Sequence, residues 1–345
     1  MQRFVIHTDS LTERGTEAAS FFLARELRKI DCEVAFAYNK NSPQNNNLAI
    51  KYFSDFFPLI AYENFESIQR EITRNFDIAY LIKNRETKRY VFKGLFNAAH
   101  VIFDEYFPFG NTYTYISRSL ADYSRAQTNR FERVLKSQVA ALRSCMNAKQ
   151  FEHVPYMVDM PIPKRGGISR KSLGIPDDAF TIIRYGGKTT FDIPWVKRVL
   201  LRFLEEYQDT FFIALNTEKF TSHPRVIYLD AVVDLQTKSD LLFLSDLFLH
   251  GRSIGETFGM SIIESLQVGT PVISWNGGRD QEHVEHLAKF QWLYQDSFDL
   301  WNLLTIFRTA EKKELNMSKV REYSEMFRPQ ALIKQYMNQM FNLSD

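Results

Sequence analysis

Apolar residues along the chain come in short runs that alternate with amphipathic stretches. Residues 4–8 read as a first strand, short and apolar, followed by a polar loop at 9–15. In 16–29 the residues Ala18, Phe21, Phe22, Ala24 and Leu27 recur at roughly helical spacing. Residues 34–37 read as the next strand. Further strands are expected at 77–82, 100–103 and 113–117, then a long helical stretch from 120 to about 149. Residues 39–76, Asn-rich and then rich in Phe and Tyr, follow neither period. Residues 151–156 close a first domain. After the Pro/Gly stretch 161–167 the alternation resumes. Strands are expected at 180–184, 211–215, 225–229 and 230–233, and helices at 195–207 and 234–245. Short apolar strands joined by helices read as βαβ units, so the fold class is α/β.

The alternation is most legible over 246–282. Residues 246–250 read as a strand and 251–257 as a polar loop. Residues 258–268 read as a helix with Phe258, Ile262, Ile263 and Leu266 on its buried face. Gly269 closes that helix as a left-handed cap, and Thr270-Pro271 leads into a strand at 272–274.

The chain has 345 residues, 43 Lys and Arg against 41 Asp and Glu, and a formal net charge of +2. That balance implies no polyelectrolyte partner, so no nucleic acid is expected. Apolar residues make up 45% of the chain, enough to bury two cores. Cys32 and Cys145 lie far apart and offer neither a disulfide framework nor metal-ligand spacing, which fits a reducing compartment. The first residues read as a strand, not a signal peptide, and no apolar run is long enough to span a bilayer. A cytoplasmic protein is expected.

The candidate chemistry sits where the helix at 258–268 begins. Gly255 and Gly259 let backbone approach a ligand. The free N–H groups near residues 258–261, with the helix dipole, suit a phosphate. Glu256 precedes this helix and Glu264 lies inside it. A carboxylate accepts paired hydrogen bonds from vicinal hydroxyls, as in a sugar or ribose. Taken singly, Glu256 also reads as a charge complementing the helix dipole, and Glu264 as an exposed helix carboxylate. Tyr185-Gly186-Gly187-Lys188 follows another strand, and a glycine pair with a basic residue there forms a phosphate-type loop. Lys188 also reads as a solvated surface lysine. His7 and Asp9 end the first strand on the side where open α/β sheets bind ligands, or are solvated loop residues.

Taken together, Glu256-Thr-Phe-Gly-x4-Glu264-Ser-x3-Gly-Thr-Pro-Val-Ile resembles the E-x7-E motif of retaining GT-B glycosyltransferases of the family-4 type. The resemblance is strong over 169–282 and weaker before 160. It implies two Rossmann-like domains facing across a cleft, at 1–160 and 161–326, with a terminal helix at 327–345 crossing back to the first. It implies transfer of a sugar from a nucleoside diphosphate sugar to an acceptor hydroxyl on a glycan, glycolipid or glycoprotein, with retention. Neither cofactor nor metal is implied, and no Asp-x-Asp stretch is present.

By the resemblance, Glu256 holds donor sugar hydroxyls and Glu264 the nucleotide ribose. Gly187, Lys188, Asn216, Val233, Thr257, Phe258 and Gly259 complete the donor side. Lys188 and Glu256 are catalytic candidates. His7, Asp9 and Gly15 fall on the acceptor side. The family presents a histidine at a strand end of its first domain. Here Asp104 and Glu105 end the corresponding strand, so Asp104 stands as the candidate, while His100 begins that strand. The family's second basic residue after the glycine loop is absent, with Asp192 and Ile193 in its place. Two alternatives remain: a silent binding subunit of the same fold, or an epimerase or phosphorylase. Basic residues cluster at Lys83, Arg85, Lys88, Arg89 and Lys93, and at Arg125, Arg130, Arg133, Lys136, Arg143 and Lys149. The second set lies on an amphipathic stretch, which suggests weak peripheral contact with an anionic bilayer or a core-packed helix with a solvated basic face.

Overall fold

Fully buried side chains mark the strands. Phe4, Val5 and Ile6 have no exposed surface, and neither do Ile182 and Ile183 or Leu247, Phe248 and Leu249. Runs buried on both faces belong to parallel sheets covered by helices on each side. The computed structural model describes residues 1–83, 90–103, 109–134, 152–164, 167–309 and 317–343. The chain divides into one unit of Met1–Met157 with Pro329–Asp345 and a second of Val158–Arg328.

The first unit runs β1 (Arg3–Thr8), α1 (Gly15–Lys29), β2 (Glu33–Asn39), α2 (Asn47–Ser54), β3 (Leu59–Tyr62), α3 (Phe65–Asn75), β4 (Ile78–Lys83), β5 (Phe96–Val101), β6 (Thr112–Tyr115) and α4 (Arg118–Val134). Its sheet has the order β3-β2-β1-β4-β5-β6, all parallel.

The second unit runs β7 (Phe180–Arg184), α5 (Pro194–Glu206), β8 (Thr210–Leu215), β9 (Val226–Leu229), α6 (Leu235–Phe243), β10 (Leu247–His250), β11 (Gly255–Glu256), α7 (Met260–Val268), β12 (Val272–Trp275), β13 (Asp280–Gln281), α8 (Glu282–Leu287), β14 (Leu293–Tyr294), α9 (Ser297–Thr309) and α10 (Met317–Glu325). Its main sheet, β14-β12-β10-β7-β8-β9, is again parallel, and β11 pairs with β13 beside it. Among the described residues no helix is long and apolar enough to cross a membrane.

Hydrogen bonds place the divisions of the chain. Val158 N–H donates to Phe327 O, Gln267 bonds Val158 O and the Met160 N–H, and Arg328 pairs with Asp159 at 2.8 Å. Residues 158–160 are thus tied to the second unit, ahead of the Pro/Gly stretch. The C-terminal α11 (Pro329–Gln335) and the turn Tyr336–Met340 belong to the first unit. Tyr336 donates to Pro155 O, Thr112 to Met340 O, and Phe341 packs edge-on against Phe4.

Several elements differ from the sequence reading. Residues 39–76 hold α2, β3 and α3. Asn46 and Asn64 cap the two helices by accepting the Leu48 and Glu66 N–H groups. Each helix is short, so its period has few residues in which to show. Residues 230–233 are a loop, not a strand. Thr16 lies inside α1, whose N-cap is Arg14 with no side-chain bond. Phe258 precedes its helix, because Gly259 at φ 84° turns the backbone first. The strand expected at 100–103 is β5, Phe96–Val101, so His100 is near its end rather than its start.

Candidate functional site

Strand order sets the place. From β7 the chain builds β8 and β9 on one side and β10, β12 and β14 on the other. Between β7 and β10 the connections part, and ligands of open α/β sheets bind outside the carboxyl ends at such a point. The loops that leave β7 and β10 are residues 185–193 and 251–259.

The first loop is shaped by Arg184, the last residue of β7. Its Nη1 donates to Asn216 O at 3.3 Å and Thr217 Oγ1 at 2.7 Å; its Nη2 donates to Gly187 O at 3.0 Å and Thr190 Oγ1 at 2.5 Å. A Cβ on Gly186 would come within 3.0 Å of Nη2, so glycine there lets the guanidinium lie beneath the loop. Asn216, at φ 45°, donates to Gly186 O at 2.9 Å. Lys188 projects at the exposed tip, and its carbonyl accepts the Glu218 N–H.

The second loop abuts the first. Asp192 accepts from the Ser253 N–H at 2.7 Å and from its hydroxyl at 2.5 Å. Gly255, at φ 78°, could carry no side chain: a Cβ would meet Asp280 O at 2.0 Å. Both oxygens of Glu256 are bonded. Arg252 Nη1 reaches Oε2 at 2.8 Å, and His250 Nε2 lies 3.1 Å from Oε1. Because a carboxylate only accepts, His250 donates through Nε2, with Ser274 Oγ at 2.7 Å from its other nitrogen. Burial pushes the Glu256 carboxyl up, but the hydrogen bond from His250 and the charge of Arg252 outweigh it and hold it down at about 2.

Two further histidines brace the backbone. His283 Nδ1 accepts the Glu256 N–H at 3.2 Å, so its Nε2 carries the proton and donates to Trp275 O at 2.9 Å. His286 Nε2 donates to Phe258 O at 2.6 Å, leaving Nδ1 to accept from the Tyr323 hydroxyl at 2.6 Å. Burial keeps both neutral, at about 4 and about 3. Thr257 and Phe258 are buried. Phe258 packs on His286 and Phe327, so its ring serves the core. Gly259 opens α7 with no side-chain cap.

Glu264 is 1% exposed, not the exposed helix carboxylate its sequence position also allowed. Its Oε1 lies 3.3 Å from Lys238 Nζ, itself buried and 5.1 Å from the Tyr185 ring centroid. Burial pushes the Glu264 carboxyl up to about 8 and the Lys238 ammonium down to about 8. Val233 is half-buried in the loop before α6, whose N-cap is Asp234.

In the first unit, His7 sits near the C-terminal end of β1 but is buried, not solvated. Its Nε2 shares a 2.6 Å hydrogen bond with the Tyr62 hydroxyl, and the rings of Phe65, Tyr90 and Phe92 surround it. Burial keeps it neutral, at about 3. Asp9 is half-buried in the following loop; burial pushes the Tyr62 hydroxyl up, and the charge of Asp9 adds to the shift. Gly15 begins α1. His100 occupies the strand end but is consumed by packing: it meets the Tyr80 hydroxyl at 2.6 Å and Val154 O at 2.7 Å, fully buried. Asp104 and Glu105 lie outside the described residues. So do Arg85, Lys88, Arg89, Lys136, Arg143 and Lys149, and the side chains of Lys83, Arg130 and Arg133.

Sequence reasoning missed Arg184, Lys238, His250, Arg252, His283 and His286. A cation ending an apolar strand before Gly-Gly was a usable signal for Arg184. The i,i+3 pair His283 and His286 was another.

Neither a family model nor a curated protein matches this sequence. Solved structures do match in fold. HepE of Anabaena, in complex with UDP and glucose, superposes with a TM-score of 0.67 at 14% identity over 99% of this chain and 100% of that chain. A glycosyltransferase of Rickettsia africae gives 0.61 at 13%, covering 99% of each. MnaA of S. aureus with UDP gives 0.59 at 11%, covering 100% and 98%. At such identities the likeness establishes architecture alone: two Rossmann-like α/β units of the GT-B fold.

Proposed function

We propose that this chain is a glycosyltransferase that moves a sugar from a nucleoside diphosphate sugar to an acceptor hydroxyl with retention and without a bound metal. The observation that carries this reading is the ionised, fixed carboxylate of Glu256 at the switch point of the second sheet, beside a glycine loop ending in Lys188. The likeness to HepE, which was solved with UDP-glucose, supports the donor class.

A carboxylate has about four acceptor positions. His250 and Arg252 take two at Glu256, which leaves two for vicinal sugar hydroxyls. Glu264 lies one helix turn and more from the N-terminus of α7 and is assigned the ribose. In the reaction the acceptor oxygen bonds the anomeric carbon as the bond from that carbon to the diphosphate oxygen breaks. The acceptor proton passes to the departing phosphate. Lys188 and the uncapped N–H groups at the head of α7 would stabilise the charge left on the diphosphate. The acceptor is a hydroxyl of a glycan, glycolipid or glycoprotein. Weak contact with anionic lipid belongs to the same reading.

The test is turnover of a panel of nucleotide sugars, with the anomeric configuration of the product read by NMR. Release of nucleoside diphosphate with a retained anomer is expected. A donor that raises the melting temperature without turnover would make the chain a binding subunit instead. An inverted product would sink the retaining assignment.

A further inference from the structure

Among the groups this reaction scheme leaves unused, Arg184 is a buried cation with no carboxylate in contact among the described residues. It is only 3% exposed. A buried cation is normally matched by a carboxylate in contact. All four hydrogen bonds of its Nη atoms end on neutral oxygens: Asn216 O, Thr217 Oγ1, Gly187 O and Thr190 Oγ1. Among the described residues it forms no ion pair. The acids that act on it, Glu256 and Asp192, do so from a distance. Both are already engaged, Glu256 by Arg252 and His250, Asp192 by Ser253. Burial draws the guanidinium down only to about 10, so it remains charged at neutral pH.

Its surroundings indicate the missing counter-ion. The guanidinium lies under the Gly186–Gly187 turn at the switch point. The same loop carries exposed Lys188, and the adjoining loop carries Arg252. Arg252 is paired with Glu256, so Arg184 and Lys188 are the cations at this glycine turn left for an anionic ligand.

We propose that Arg184 is the positioning residue of a diphosphate subsite: it pins the 186–190 loop from below and supplies the buried positive charge that a bound diphosphate compensates. This rests on the donor reading above and deepens it. It also places a cation where residues 192–193 offer none, reached from the strand rather than from the loop. In the free protein the Arg184 charge is held by dipoles in contact and by two carboxylates at a distance. In the complex it meets an anion through the loop.

The probe is inorganic pyrophosphate, titrated calorimetrically at fixed ionic strength. It carries neither base nor sugar, so it reads the subsite apart from the transfer reaction. Wild-type protein should bind it, and Arg184→Gln should weaken it roughly tenfold or more. Arg184→Lys should recover much of the loss, because the charge returns while the four-bond geometry does not. A purely structural role would not be rescued by lysine. Lys51→Gln, on α2 of the other unit, should change nothing.

Since Arg184→Gln empties a buried site, Thr190→Asp is the second variant. It sets a carboxylate against the guanidinium and should raise the melting temperature while removing pyrophosphate binding. Wild-type protein that ignores pyrophosphate, or Gln and Asp variants that bind it as wild type does, would overturn the subsite. Pyrophosphate binding lost in these variants, in a protein that turns over no donor, would keep the subsite and remove the transferase reading.

Discussion

The two sheets share one strand order yet place opposite chemistry at the point where it reverses. In the first unit His7, at the end of β1, is neutral among the rings of Tyr62, Phe65, Tyr90 and Phe92, with Asp9 in the loop beyond. Glu17, in the first turn of α1, is buried there against the Thr12 hydroxyl at 2.8 Å, and burial pushes its carboxyl up to about 7. In the second unit Glu256 meets the same largest influence, burial, yet sits at about 2. The difference is two donors in contact, the Arg252 guanidinium and the His250 imidazole. A hydroxyl cannot offset desolvation of a carboxylate; a guanidinium and an imidazole together reverse it. Topology provides two equivalent places, and the neighbours of one carboxylate decide which of them carries charge.

The comparison breaks most visibly at Glu256. Glu256→Gln removes the charge that Arg252 and His250 answer, and turnover of the donor should fall about 100- to 1000-fold, the size of losing one preorganised electrostatic contact. Steady-state rates on the donor identified by the panel check this. Turnover within threefold of wild type would show that the carboxylate only braces its loop.

Next in size is Glu264→Gln. If this buried group takes the ribose, nucleoside diphosphate affinity should weaken by about 1 to 3 kcal/mol. Calorimetry with a nucleoside diphosphate and its 2′,3′-dideoxy analogue sharpens the result. The variant should lose discrimination between them, and retained discrimination would return Glu264 to a packing role with Lys238.

Lys188→Ala should act more weakly, lowering turnover roughly tenfold by loss of one charged contact while leaving the melting temperature unchanged. The side chain is exposed, so nothing in the core depends on it. Equal turnover in variant and wild type would make it a surface lysine.

Much of this was legible in the sequence because it is local. The glycines at 255, 259 and 269, and both glutamates, fall in one stretch of the chain. Their spacing therefore announces the loop, the helix and its cap. Strands buried on both faces show as continuous apolar runs. What stayed hidden is set by pairing across the chain. Nothing local tells that Lys238 answers Glu264, that Arg184 reaches Thr217 and Thr190, or that His283 and His286 turn back onto the loop at 256–258. His100 shows the same limit. A register error of a few residues moves it from one strand end to the other, and only its contacts with Tyr80 and Val154 reveal that it is a core residue.

The pH dependence of stability tests the comparison most directly, because it applies one substitution to both carboxylates. Glu17 has a folded pKa of about 7, raised from 4.5, so the folded protein binds the extra proton between those values. Its favourable contribution is complete below the unfolded value and is lost as pH rises through about 7. Glu17→Gln cannot titrate and keeps the bond from Thr12. Relative to wild type, the variant should therefore gain stability from pH 5 to pH 8, by about 1 to 3 kcal/mol. Glu256 has the opposite sign: its folded value, about 2, is depressed from 4.5, so its contribution is present above the unfolded value and lost as pH falls through about 2. Between pH 5 and 8 the Glu256→Gln difference should be constant and unfavourable to the variant. Urea unfolding of the three proteins at pH 5, 6.5 and 8 measures both. A flat Glu17 difference would mean that carboxylate is ionised and paired in solution, and the contrast between the two switch points would no longer rest on charge.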